Sequence, residues 1–158
     1  MSARDAASPA TVRVERSGRF VVDEPEAAAR LLFTPLGERA WAPGWDAEIV
    51  HPAHADDAIP PEGTVFTTRV GPRPRLWVLV RAGGAPCTYD YVNVAHEALV
   101  TEVRVVLEPI DATRTGVFVR YRWTALSDAA ALELAANDDA AFAAMLDAWS
   151  AAIRARPR

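Results

Sequence analysis

The chain has 158 residues, 51% of them apolar and 24% charged, with a formal charge of -4. These proportions are close to the averages for soluble globular proteins and favour neither disorder nor a membrane class. The acidic balance, with no basic stripe, leaves no nucleic acid among the expected partners.

No apolar run approaches the roughly 18 residues needed to cross a bilayer, and Met1 to Ala10 lacks an apolar signal-peptide core. No membrane span and a cytoplasmic location are therefore expected. All 17 basic residues are arginine, which excludes Schiff-base chemistry on a lysine of this chain. Cys87 is the only cysteine, so no internal disulfide forms, and the residue reads as a half-buried structural thiol. The length predicts one core: residues 1–10 form a flexible tail and 11–158 a single domain.

In chain order, Thr11 to Val22 alternates Val12 and Val14 with Arg13 and Glu15, a first strand with a turn or bulge at Ser17-Gly18. Asp23-Glu24-Pro25 opens a short helix with an acidic cap, and Pro35 ends it after Phe33. A second helical piece covers Leu36 to Ala40 and runs into Trp41-Ala42-Pro43-Gly44-Trp45.

Ala47 to His51, Thr64 to Val70 and Leu76 to Arg81 read as strands, the last with both faces apolar and its parity undecided. Ala82 to Pro86 is a glycine-bearing turn into a strand over Cys87 to Val94. Ala98 to Glu108 and Ala112 to Ala125 are the longest strands. The period of two in the latter turns Val117, Val119, Tyr121 and Trp123 to one face and Arg120 and Arg122 to the other. A long helix opens at Ser127, with Ala135, Phe142, Leu146, Trp149 and Ile153 on one stripe and Met145 at its edge. Short consecutive connections predict antiparallel pairing in the last six strands.

This element order over roughly residues 11–155 resembles the START-related superfamily, also called SRPBCC or the polyketide cyclase and lipid-transport group. Gly37-Glu38-Arg39 leading into Trp41-Ala42-Pro43-Gly44-Trp45, then Gly63 to Thr68, then Tyr121 to Ser127, carry the resemblance, and the Trp-Ala-Pro-Gly-Trp segment is its most specific part. It implies an α+β helix-grip fold: a seven-stranded antiparallel curved sheet wrapped around a long C-terminal helix, with two short helices between strands 1 and 2. It also implies an interior space for lipids, polyketides or other apolar molecules, and no shared catalytic motif.

Parity supplies the candidate ligand-binding set. Tyr121 and Trp123 face the helix, as do Tyr89, Tyr91 and Asn93 with Asp90 outward, and Phe142, Met145 and Trp149 meet them from the helix. Trp77 is added from the strand of undecided parity. Buried hydroxyl and amide groups need partners, which a ligand or the protein's own groups supply. The Trp41 to Trp45 segment reads as a structural pin rather than a pocket wall. Glu102 and Arg104 read as a charge ladder with Arg120 and Arg122 on the wet face.

His51, His54, Asp56 and Asp57 look metal-like but lack rigid ligand spacing, and read as a solvated loop, with no metal expected. The absence of Gly-x-Ser-x-Gly, Gly-x-Gly-x-x-Gly and P-loop patterns leaves nucleophilic catalysis and nucleotide cofactors without support, and no cofactor is expected. The reading that follows is a container for a small hydrophobic or aromatic molecule. A cofactor-independent cyclase, aromatase or hydrolase using the same space is the alternative, and a co-chaperone or toxin-like partner module a second. No catalytic residue is assigned, and a homodimer is left open.

Overall fold

The computed structural model describes residues 12–52 and 58–157. Its elements are β1 Arg13–Val22, α1 Glu26–Leu32, a 3-10 turn Gly37–Ala40, β2 Glu48–His51, β3 Val65–Thr68, β4 Arg75–Gly83, β5 Cys87–Ala95, β6 Leu99–Pro109, β7 Thr115–Ala125, α2 Asp128–Ala135 and α3 Asp139–Ala155. One sheet of order β1-β7-β6-β5-β4-β3-β2 contains all seven strands, antiparallel at every junction. This is the helix-grip architecture that the family resemblance implies.

Alternation decides which face holds the core. On β7, Val117, Val119 and Trp123 are buried, and on β5 Tyr89, Tyr91 and Asn93 are buried, so both strands turn the expected parity inward. Each fully buried large apolar side chain contributes roughly 1.5–3 kcal/mol. Trp77 and Leu79 settle β4, leaving Leu76 and Val80 exposed on the outer face beside Val94. A register shift between Leu79 and Arg81 then interrupts the pairing of β4 with β5. The outer face carries the ladder: Arg104 bonds Asp90 at 2.6 Å, and Arg122 bonds Glu15 at 2.8 Å and Glu102 at 3.3 Å. Wet pairs of this kind fix register more than they stabilise.

Three details depart from the sequence reading. No bulge occurs at Ser17-Gly18, because the register with β7 runs unbroken through both residues. Gly18 instead admits α3: a Cβ there would lie 2.5 Å from Leu146 Cδ1. The acidic cap of α1 is also missing, since Pro25 occupies the N-cap with no side-chain bond. Finally, the long helix is two. Its first part opens at Ser127 as expected, with Oγ accepting from the Ala130 N–H at 3.2 Å. The chain then breaks at residues 136–138, and Asp138 caps α3, its Oδ1 accepting from the Ala141 N–H at 2.8 Å. A side-chain acceptor that satisfies an orphan helix N–H makes Asp138 the start signal of α3. Ala135 therefore ends α2 and is exposed, off the stripe of Phe142, Leu146 and Ile153 that α3 buries.

Candidate functional site

Between the sheet, α3 and the connection from α1 to β2 lies a cavity of about 210 Å³. The connection forms one wall, and its geometry begins at Gly37. Thr34 Oγ1 accepts from the Gly37 N–H at 3.0 Å and donates to the Leu31 carbonyl at 3.0 Å. A Cβ on Gly37 would fall 1.7 Å from that carbonyl oxygen, so only glycine lets the 3-10 turn fold this tightly onto α1. Glu38 follows immediately and lines the cavity.

Trp41 and Trp45 complete that wall. Their indole N–H groups donate to the carbonyls of Leu32 and Pro35, each at 2.7 Å. The segment is thus a pin, as expected, but the expectation that it is not a pocket wall fails: both rings border the cavity together with Ala42 and Pro43. Trp45 meets Trp77 edge-on at 5.6 Å, and Trp77 stacks on Phe66 at 5.5 Å. The sheet floor adds Tyr91, Val103, Val105 and Tyr121, and α3 adds Trp149.

Of the candidate set, Trp77, Tyr91, Tyr121 and Trp149 line this space. Tyr89, Asn93, Trp123, Phe142 and Met145 lie outside its lining. Tyr89 is fully buried, and its hydroxyl donates to the Arg30 carbonyl at 3.0 Å. Trp123 and Phe142 pack edge-on against each other at 6.0 Å. Asn93 accepts a hydrogen bond from Arg75 at 3.1 Å. Tyr91 has a double role: its ring lines the cavity while its hydroxyl donates to the Phe33 carbonyl at 2.7 Å. The Tyr121 hydroxyl has no hydrogen-bond partner among the described residues, which leaves it available to an occupant.

Glu38 is the residue that sequence reasoning passed over. It stands among aromatic rings, and withdrawal from water holds its carboxyl at about 8, well above the ordinary carboxylate range. It keeps some accessible surface, as expected of a group that borders a cavity. Burial, reinforced by the nearby Glu38 charge, also pushes the Tyr91 and Tyr121 hydroxyls up, so both remain protonated donors near neutrality. Only the Gly-Glu-Arg motif signalled Glu38 in the sequence, and a lone glutamate in a short turn is normally solvated.

Among the described residues no group of three His, Cys, Asp or Glu is placed to hold a metal ion. His54, Asp56 and Asp57 of the metal-like loop lie outside the described residues. Cys87 is fully buried rather than half-buried, and burial raises its thiol, so the thiolate that covalent chemistry needs is disfavoured. No helix among the described residues is long and apolar enough to cross a membrane.

The architecture can be compared with solved structures. Norcoclaurine synthase from Thalictrum flavum, in complex with dopamine and hydroxybenzaldehyde, superposes with a TM-score of 0.60 at 12% identity, over 94% of this chain and 91% of that one. The Zhui aromatase/cyclase from Streptomyces sp. R1128 gives 0.60 at 15% identity, over 93% and 97%. This is the helix-grip fold. The same fold occurs in BexL, a di-domain aromatase/cyclase of the BE-7585A biosynthetic pathway, with a TM-score of 0.65 at 13% identity over 89% of this chain and 46% of that one. The sequence matches no protein-family model and no curated protein. Helix-grip proteins bind and transform different molecules on one scaffold, so the site has to argue the function.

Proposed function

We propose that this helix-grip domain binds a compact aromatic molecule in the cavity between β3–β7, α3 and the Trp41 to Trp45 wall. The size and lining of the space carry the reading. A cavity of about 150 Å³ suffices for benzene, so about 210 Å³ suits one or two rings and is small for a lipid chain or an extended polyketide. Tryptophan rings from the sheet, the connection and α3, together with Phe66, offer ring contacts to a flat guest, and the Tyr121 hydroxyl offers one hydrogen bond to orient it. Solved relatives of the fold that act on aromatic compounds support this choice of ligand class.

The test is titration with 2-naphthol, followed through the fluorescence of the lining tryptophans. Saturable quenching that is abolished by Val105→Phe, which fills the cavity, is the expected result. Absence of saturation, or equal binding by the filled variant, would overturn the proposal.

A second reading, proton transfer of the cyclase or aromatase type, is favoured by one observation: Glu38, a carboxyl raised to about 8 by burial, lines the cavity. A group whose proton affinity lies near working pH can both take and return a proton. Deuterium exchange alpha to the carbonyl of acetophenone, followed by NMR, is expected to accelerate with the protein and to return to the background rate with Glu38→Gln. Exchange unaffected by that substitution would remove Glu38 from any chemistry.

A further inference from the structure

At one end of the sheet's inner face, the chain buries polar groups that it does not satisfy. Asn93 and Thr101 stand side by side across β5 and β6, flanked in register by Trp77 on β4 and Trp123 on β7. Both are fully buried. Neither Asn93 Nδ2 nor Thr101 Oγ1 has a hydrogen-bond partner among the described residues. Buried amide and hydroxyl groups left in this state are costly, and their recurrence at adjacent positions marks a place where something else completes them.

Arg75 reaches the same spot. Its Nη1 donates to Asn93 Oδ1 at 3.1 Å, which turns Asn93 so that its amide donor faces away from the guanidinium's own bond. Arg75 is half-buried, and burial lowers its proton affinity. No carboxylate among the described residues pairs with it: its charged neighbour is Arg73, and Arg73 is itself held by Glu133 at 2.8 Å. Elsewhere in the sheet a partly covered arginine has its anion, as Arg104 has Asp90. Tyr121, which feels the Arg75 charge, lines the cavity, and so does Trp77 beside Asn93.

We propose that Arg75, Asn93 and Thr101 form an anion subsite adjoining the cavity, and that the guest is an aromatic monocarboxylate. This rests on the reading of the cavity as an aromatic-binding site and adds the charge of its occupant. A carboxylate accepts two parallel bonds from a guanidinium fork and retains lone pairs for the Asn93 amide and the Thr101 hydroxyl. One guanidinium balances one negative charge. A phosphate dianion would leave an excess negative charge withdrawn from water.

The experiment compares 2-naphthoate with 2-naphthamide, which share shape and differ in charge, by calorimetric titration near neutral pH. The wild-type protein is expected to prefer the carboxylate by about tenfold or more, the range of a charge-assisted hydrogen bond. Arg75→Gln should bring the two affinities together while leaving that for 2-naphthamide within about threefold, so the amide reports that the variant is folded. Arg75→Lys should restore part of the preference, and Thr101→Val should diminish it without removing it. Wild-type protein that binds the amide as tightly as the carboxylate, or an undiminished preference in Arg75→Gln, overturns the subsite and leaves the cavity standing. If neither probe binds, the cavity reading falls and the subsite with it.

Discussion

Trp41 meets Trp149 edge-on, ring centres 5.5 Å apart at 63°, while its indole N–H holds the Leu32 carbonyl at 2.7 Å. One side chain thus ties the α1–β2 connection to α3, and the cavity takes a wall from each. Trp41→Phe keeps most of the ring contact but strands the Leu32 carbonyl, and is expected to cost about 1–3 kcal/mol. Trp41→Ala should cost about 3–5 kcal/mol. Urea denaturation of both variants checks the ordering. Equal stability of Trp41→Phe and wild type would mean that the bond does not hold the wall.

Glu38 makes stability depend on pH in a definite direction. Its carboxyl is raised from an ordinary 4.5 to about 8 by burial, so between those values the folded protein holds a proton that the unfolded chain releases. Stability is then complete below the lower value and declines as pH rises through the window, with a slope of at most about 1.4 kcal/mol per pH unit. Access of water to the cavity lowers that slope. Urea midpoints of wild type and Glu38→Gln at several pH values should diverge as pH increases, the variant remaining flat. Parallel curves would show that the carboxyl is solvated.

The fold was legible because its signals are periodic. Val117, Val119, Tyr121 and Trp123 repeat every second residue, and Phe142, Leu146 and Ile153 follow a helical stripe, so strand parity and the α3 face follow from spacing alone. The site was legible only in part, because a cavity is defined by what does not fill it. Tyr89 and Tyr91 have identical parity, yet the Tyr89 ring is enclosed by protein while the Tyr91 ring borders empty space. Nothing local to β5 distinguishes them. Glu38 and Trp45 come from a connection without periodicity, where Gly37 sets the fold through a contact with α1. The break before α3 was readable in principle, since Asn137-Asp138 is a capping signal, but the alanine-rich helical pattern runs straight through it.

Two hydroxyls on the inner face of the sheet are expected to respond oppositely to removal. Tyr91→Phe leaves the Phe33 carbonyl, now bonded at 2.7 Å, without its donor in the core, and should cost about 1–3 kcal/mol. Thr101→Val removes a buried hydroxyl that has no partner among the described residues and keeps its shape, so it should be neutral or stabilising by about 1 kcal/mol in the ligand-free protein. Thermal unfolding of the two variants beside wild type decides it. A Thr101→Val variant as unstable as Tyr91→Phe would show that the hydroxyl is already satisfied within the protein.

Gly18 sets how closely α3 sits on β1. A Cβ there would lie 2.5 Å from Leu146 Cδ1, inside any contact distance, and 3.9 Å from the Phe142 ring. Leu146 is 4% exposed, so its methyl has no free volume to retreat into, and the strain passes to the helix. Gly18→Ala should cost about 1–3 kcal/mol, as overpacked cores do, whereas the same change at an open strand position would favour folding. Because Trp149 lies on the same helix and lines the cavity, a displaced α3 should also weaken 2-naphthol binding. The double variant Gly18→Ala with Leu146→Ala should recover both losses relative to Leu146→Ala alone, since the clashing methyl is then gone. Additive losses in that pair would place the effect of Gly18 in the strand backbone rather than in its contact with α3.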